Sequence, residues 1–368
     1  MKILITGATG FLGGATAMAL LERGLQDDLC FLVRAKTPAE GLERLLKSLH
    51  RFGLTQDAGQ RFTSSQVILG DLLDVAAFAD DPRLDAVTHV VNCAAIASFG
   101  KHPHIWPVNV EGTLAFARRM AAVSGLQRFL HVGTAMACGP GRDRKVSESW
   151  EFPTREHHLV TYTASKAEAE RLMHETLPDF PLVVVRPSIV VGHSRLGCAP
   201  STSIFWVFRM GYEIDRFMCD LDDYIDVIPV DYCAEAISTL LLSNSLKWNL
   251  YHLSAGDTSV CTLRELYLAM SRGHSTRNEE VTYQRISQSQ IATLVPLFQQ
   301  KLGITNRRLL TRALTLYGGF AALHYVFENT RLIAEGMLPP PRFADYIGAC
   351  LNSTNGMSLM EQMLDDFK

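Results

Sequence analysis

Through the first half of the chain, short apolar runs alternate with longer segments in which apolar residues recur every three to four positions. The runs at 3–5, 29–33, 66–69, 89–93, 129–132 and 182–185 are almost continuously hydrophobic. That pattern predicts strands buried on both faces, as in a parallel sheet. The periodic segments at 11–23, 39–52, 108–124 and 162–175 predict the helices between them. Six strands joined by helical crossovers predict an α/β fold with a doubly wound parallel sheet.

After Pro187 the rhythm changes. Residues 194–200 read as a loop, 203–212 are apolar, a strand and helix follow at 227–242, and a further strand at 249–253. The tail from 263 to 368 has a helical pattern broken at Pro296, Gly303 and Pro339-Pro340-Pro341. The expected organisation is a nucleotide-binding domain over 1–192 with a return segment at 226–256, and a smaller, mostly helical substrate domain from 193–225 and 257–368. A helix is expected over 309–327, and its aromatics Tyr317, Phe320, Tyr325 and Phe327 are explained better by the core of that small domain than by an acyl channel or lid.

Composition narrows the class. The chain has 368 residues, a net charge of −3, 47% hydrophobic residues and 20% charged ones, an ordinary globular balance without the basic face that nucleic acid requires. Eight cysteines without a C-x-x-C pair suggest neither a zinc framework nor a disulfide scaffold, but small hydrophobes in a reducing compartment. The N-terminus reads as a strand rather than a signal peptide. The longest uncharged apolar stretch, 313–327, falls short of the roughly 18 residues a membrane helix needs. The expectation is a cytoplasmic protein with no membrane span.

The first strand runs into Thr6-Gly7-Ala8-Thr9-Gly10-Phe11-Leu12-Gly13 and then a helix. Gly7 permits the tight turn, Gly10 lets backbone amides approach a pyrophosphate, and Gly13 lets helix pack on strand; Thr9, Phe11 and Leu12 complete the cradle at the helix N-terminus. This context makes the sheet Rossmann-type. At the end of the second strand, where an acidic residue would bind a ribose 2′-hydroxyl, the chain has Arg34. A guanidinium there favours a 2′-phosphate, hence NADP(H) over NAD. Asp71 and Leu72, after the third strand, and Ala94 and Ala95, after the fourth, would line the adenine and ribose side.

Tyr162 and Lys166 lie one helical turn apart on one face. A phenol exchanges protons near neutral pH only if a nearby cation stabilises its phenolate, and Lys166 supplies that charge. Thr134, ending the fifth strand, is placed to hydrogen-bond a substrate carbonyl beside Tyr162. His102-Pro103-His104 lacks acidic or cysteine partners, so no metal is expected; this loop is read as lining the substrate mouth. His157-His158 is read as a solvated loop rather than a proton shuttle.

With these residues the chain resembles the extended short-chain dehydrogenase/reductase family, through the glycine motif, Asp71-Leu72, Asn92-Cys93-Ala94-Ala95, Asn109-Val110-Glu111-Gly112-Thr113, Thr134, and Tyr162 with Lys166. Leu32-Val33-Arg34-Ala35, Arg186-Pro187-Ser188-Ile189-Val190-Val191-Gly192 and Ile228-Pro229-Val230-Asp231 are most similar to its thioester-reductase and fatty acyl-CoA-reductase branch. The resemblance implies that Thr134, Tyr162 and Lys166 are catalytic. It also implies that Arg34 meets the 2′-phosphate, that Asn109, Tyr162 and Lys166 contact the cofactor, and that Pro187, Ser188 and Ile189 form a ledge under the nicotinamide. The implied activity is NADPH-dependent hydride delivery to an acyl thioester, carrier- or CoA-bound, or to the derived aldehyde, giving aldehyde or alcohol. An acyl carrier protein or coenzyme A would be met in trans, or else the substrate would be a small free carbonyl compound. The branch usually has Ser-Thr where this chain has Gly133-Thr134, which keeps the threonine hydroxyl. Two other readings stay open: a nucleotide-sugar epimerase or hydroxysteroid-type dehydrogenase of the same family, and a non-catalytic NADP-sensing protein.

Overall fold

The structure, a computed structural model, describes residues 1–100, 102–272, 283–302 and 307–366. Seven strands form one sheet: β1 (Ile3–Thr6), β2 (Leu29–Val33), β3 (Val67–Leu69), β4 (His89–Asn92), β5 (Arg128–Val132), β6 (Leu182–Pro187) and β7 (Leu250–Leu253). Their spatial order is β3-β2-β1-β4-β5-β6-β7, and every neighbouring pair is parallel. The order reverses between β1 and β4, the switch point where ligands bind at the carboxyl ends of strands. The expected doubly wound α/β sheet is therefore present, with β7 added beyond β6 through Leu250↔Val184.

Helices α1 (Phe11–Glu22), α2 (Pro38–His50), α3 (Thr113–Ala121) and α4 (Thr161–Thr176) alternate with the strands. The continuous hydrophobic runs are explained by two cores, one on each face. Ile3, Ile5, Phe31, Val91, Leu130 and Val185 face α1 and α2, where Ala17, Leu20, Leu45 and Leu49 meet them. Leu4, Leu32, Val90, Phe129 and Val184 face the other way, onto Leu114, Ala117 and Met120 of α3 and Met173 of α4. Successive side chains point to opposite faces, so a strand covered on both must be apolar at every position.

The later part of the chain contains α5 (Phe205–Ile214), α6 (Val230–Leu242), α7 (Leu263–Arg272), α8 (Val295–Leu302), α9 (Arg307–Ala321), α10 (Phe343–Ser353) and α11 (Leu359–Asp366). Helix α6 returns to the sheet, adding Cys233, Ile237 and Leu240 to the α1 core. Helix α5 is apolar on two sides. Trp206 and Met210 pack with Phe298, Leu314, Tyr317 and Met363, while Phe205 and Tyr212 pack with Leu266, Tyr267, Phe343 and Ile347.

Two expected helices differ. The one expected at 108–124 opens as a π-helical turn, Pro107–Gly112, before α3. The one expected over 309–327 ends at Ala321, because backbone groups beyond it are claimed elsewhere: Val326 N donates to the Arg144 carbonyl and Phe327 N to Asp226 Oδ2 at 2.9 Å, making Val326–Phe327 a short strand on Lys145–Val146. The break expected at Gly303 lies outside the described residues.

The π turn rests on a close backbone approach, since a Cβ on Gly112 would stand 1.9 Å from the Leu72 carbonyl oxygen. Gly112→Ala should therefore cost about 1–3 kcal/mol of stability, read as a lowered denaturation midpoint. Gly125→Ala, where a Cβ meets nothing within 4 Å, should change it by less than about 0.5 kcal/mol.

Candidate active site

The strand ends build the nucleotide side. Gly7 has φ +70, and a Cβ on it would lie 2.8 Å from the Ala94 amide nitrogen, so the loops after β1 and β4 touch backbone to backbone. A Cβ on Gly13 would stand 2.3 Å from the Gly7 carbonyl oxygen, which lets α1 start directly over the turn. No side chain caps α1 and its first turn carries no acidic residue, leaving its amides to an anion. Behind this loop residues at the carboxyl ends of β1, β4 and β5 hydrogen-bond across the sheet. Thr6 Oγ1 donates to Asn92 Oδ1 at 2.6 Å, Asn92 Nδ2 lies 3.1 Å from His131 Nδ1, and the Ala94 amide donates back to Thr6 Oγ1 at 3.0 Å.

Arg34, 68% exposed, follows β2, with Nη1 3.7 Å from Asp71 Oδ2 in the loop after β3. Arg44 on α2 donates to the Arg34 carbonyl, bringing a second guanidinium beside it that the sequence did not single out. A glycine cradle, unfilled helix amides and exposed cations beyond them fit the pyrophosphate and phosphates of a nicotinamide dinucleotide. Asn109, in the π turn, is a brace: Oδ1 accepts from the Ile96 amide at 2.8 Å, and Nδ2 donates to the Ile96 carbonyl and to Ser165 Oγ.

Helix α4 brings the reactive pair to the β5 end. Lys166, 3% exposed, donates from Nζ to the Val132 carbonyl at 2.7 Å. Burial pushes its ammonium down to about 8, against the opposing pull of Glu170 and Cys93. Tyr162 is pushed up to about 12, by burial first and by the Glu170 charge second. Thr134 follows β5, and its hydroxyl accepts from the Met136 amide at 3.3 Å. Gly133, where the branch usually has serine, has no space for a side chain: a Cβ would stand 1.9 Å from Glu170 Oε1.

Thr134, Tyr162, Ser188 and Ile189 line one wall of a cavity of about 510 Å³. The facing walls come from α5, α7 and α9, with Phe208, Tyr267, Tyr317 and Phe320 among them. Phe99, after β4, packs against the rings of Tyr162, Tyr317 and Phe320 at centroid distances of 5.7, 5.7 and 5.3 Å. The aromatics assigned to core thus do both: Tyr317, Tyr325 and Phe327 are core members and, with Phe320, also line the cavity. The loop expected at the substrate mouth contributes Ala97, Ser98 and Phe99. His102 and His104 are exposed and not among the walls, a correction to that expectation, since the residues nearer β4 provide the lining. In the loop before α4, His157 bonds to Thr154, and His158 to Thr163 in the first turn of α4. Phe99, Phe208 and Glu170 had no readable signal, since a lone aromatic or a helical glutamate has no characteristic spacing.

The glycine loop thus touches the Ala94 backbone, Arg34 stands 3.7 Å from Asp71, and Thr134 and Tyr162 line one cavity. Among the described residues no helix is long and apolar enough to cross a membrane.

Comparison with known proteins extends this. Aldehyde reductase lnaA of Aspergillus flavus is 26% identical over 337 residues, covering 84% of this chain and 32% of that protein. The chain thus spans about a third or less of the curated relatives it first matches. The terminal R domain from the myxalamid PKS-NRPS biosynthetic pathway superposes with a TM-score of 0.75 at 21% identity, over 96% of this chain and 90% of that one. A thiolation-reductase di-domain from an archaeal non-ribosomal peptide synthetase does so at 0.72 and 16% identity, over 96% and 75%. Residues 5–237 match the NAD-binding family described as Male sterility protein. The likeness to the extended, thioester-reductase-like branch is borne out, and the chain belongs to the Male sterility protein family of NAD-binding domains.

Proposed function

We propose that the chain is an NADPH-dependent reductase acting on the carbonyl of an acyl thioester, or of the aldehyde made from it. Thr134, Tyr162 and Lys166 are its catalytic residues. The observation that carries this reading is the shared cavity: the Thr134 and Tyr162 side chains open onto one largely apolar space, with Lys166 buried a turn away. The names of its relatives, an aldehyde reductase and carrier-linked reductase domains, support it. The apolar walls favour an acyl chain over a nucleotide sugar, whose hydroxyls need more polar partners than these walls offer.

The glycine loop and the α1 amides hold the pyrophosphate, Arg34 with Arg44 the 2′-phosphate, and Pro187 to Ile189 the floor beneath the nicotinamide. Asp71, Leu72, Ala94 and Ala95 border the adenosine half. The dinucleotide, when bound, supplies the hydride. Thr134 and Tyr162 hydrogen-bond the carbonyl oxygen as it gains negative charge, and Tyr162 yields its proton to it. Lys166 stabilises the phenolate left behind. With a thioester the carbon–sulfur bond then breaks, releasing thiol and aldehyde. In this division of labour 1–192 and 226–256 bind NADP, whereas 193–225 and 257–368 choose the acyl group. The thioester arrives on coenzyme A or on a carrier protein, from outside these residues.

NADPH oxidation followed against acyl-CoA thioesters, carrier-bound acyl groups, aldehydes and ketones, with product analysis, tests the reading; no oxidation with any thioester would overturn its thioester form. Tyr162→Phe should lower kcat by about 10²- to 10⁴-fold while leaving NADPH binding nearly intact in a fluorescence titration. Arg34→Ala should weaken NADPH about tenfold and leave NADH unaffected. Burial holds the Lys166 ammonium down at about 8 in the ligand-free protein, so kcat/KM should fall as pH rises through that value.

A further inference from the structure

Behind Thr134 lies a buried ion pair that the proposed chemistry does not use. Arg186, near the end of β6, donates from Nε to Glu170 Oε2 at 2.8 Å, and both side chains are at most 2% exposed. Arg186 is itself held by the Ser149 carbonyl at 2.8 Å from Nη1 and lies over the Phe152 ring. Glu170 is one turn beyond Lys166 on α4 and two beyond Tyr162. Its Oε1 fills the space over Gly133, and the Thr134 amide favours its ionised form.

We propose that Glu170 is a positioning residue of this site, whose carboxylate, wedged between Arg186 and the Gly133-Thr134 strand end, fixes the Thr134 ledge and keeps the Lys166 ammonium charged in a dry pocket. The groups facing Lys166 single it out. From β5, His131 is held neutral by burial, its proton affinity driven far down. From the end of β4, Cys93 is pushed up to about 12 and stays a thiol. From α4 itself, Tyr162 stays a phenol. Burial raises the Glu170 carboxyl too, but Arg186 and Lys166 both oppose that rise. The 2.8 Å ion pair with Arg186 nevertheless makes Glu170 the anion among the described residues facing Lys166, and Arg186 is the counter-charge that holds it in place. An unpaired ammonium at this depth would shed its proton.

The role of Glu170 toward catalysis rests on the reading of Thr134, Tyr162 and Lys166 above, whereas its effect on Lys166 is measured without it. The Lys166 titration is followed by NMR in cofactor-free protein carrying 13Cε-lysine, its resonance assigned by Lys166→Arg. In Glu170→Gln the midpoint should fall by about one pH unit, and the alkaline limb of kcat/KM should move in the same direction. Gly133→Ala, which displaces the carboxylate without altering its charge, should lower the midpoint in the same direction and cut kcat. An unchanged Lys166 midpoint in folded Glu170→Gln overturns the proposal; if that variant does not fold, an unchanged midpoint in Gly133→Ala does so. A shifted midpoint combined with full turnover by Tyr162→Phe would keep the Glu170–Lys166 link and retire the catalytic reading alone.

Discussion

The hydrogen bond from Lys166 to the last carbonyl of β5 ties the helix that carries the phenol to the strand end that carries Thr134. The Val132 carbonyl, at the end of the strand, is free to accept from a side chain. Taking that bond sets the rotation of α4, and with it the direction of Tyr162 one turn earlier. Ser165 adds to the hold, its hydroxyl donating to the Tyr162 carbonyl while accepting from Asn109 of the π turn. The site is therefore braced from β5, from α4 and from the loop after β4 before any ligand enters.

A dry pocket gives the same groups their chemical character. Burial lowers the Lys166 ammonium and raises the Tyr162 phenol, so each moves away from its ionised form. A counter-charge that admits no water supports the Lys166 ammonium, while the same charge raises the Tyr162 phenol further and keeps it a proton donor. Glu170 stands where that charge is needed, and the lack of a side chain at Gly133 gives it room. The wall opposite is aromatic and comes from α5, α7 and α9, elements that share side chains between core and cavity. Changes there alter packing and acyl fit together.

Much of the nucleotide half was legible in the chain. A strand buried on both faces must be apolar throughout, so its position is visible in one dimension; the glycine loop and the Tyr-Lys pair are equally local, fixed by a turn or a single helical repeat. The rest was hidden for a physical reason. In Ala167-Glu168-Ala169-Glu170 the two glutamates look alike, yet Glu168 pairs with half-exposed Arg171 at the surface while Glu170 is buried against Arg186, sixteen residues away. The segment after Ala321 looks helical until Asp226 and Arg144 claim its backbone groups. His102 and His104 promised a lining that Phe99, three positions earlier, provides instead.

By itself, the sequence determined the α/β rhythm, the phosphate cradle, the cation after β2 and the spacing of Tyr162 and Lys166, because each depends on neighbours within a turn or a strand. Tertiary structure alone decided the place of the seventh strand at the sheet's edge, the aromatic walls from the later helices, and the burial of Glu170 beside Gly133. Those features join residues far apart in the chain, and only packing determines which distant side chain fills the space that a glycine leaves.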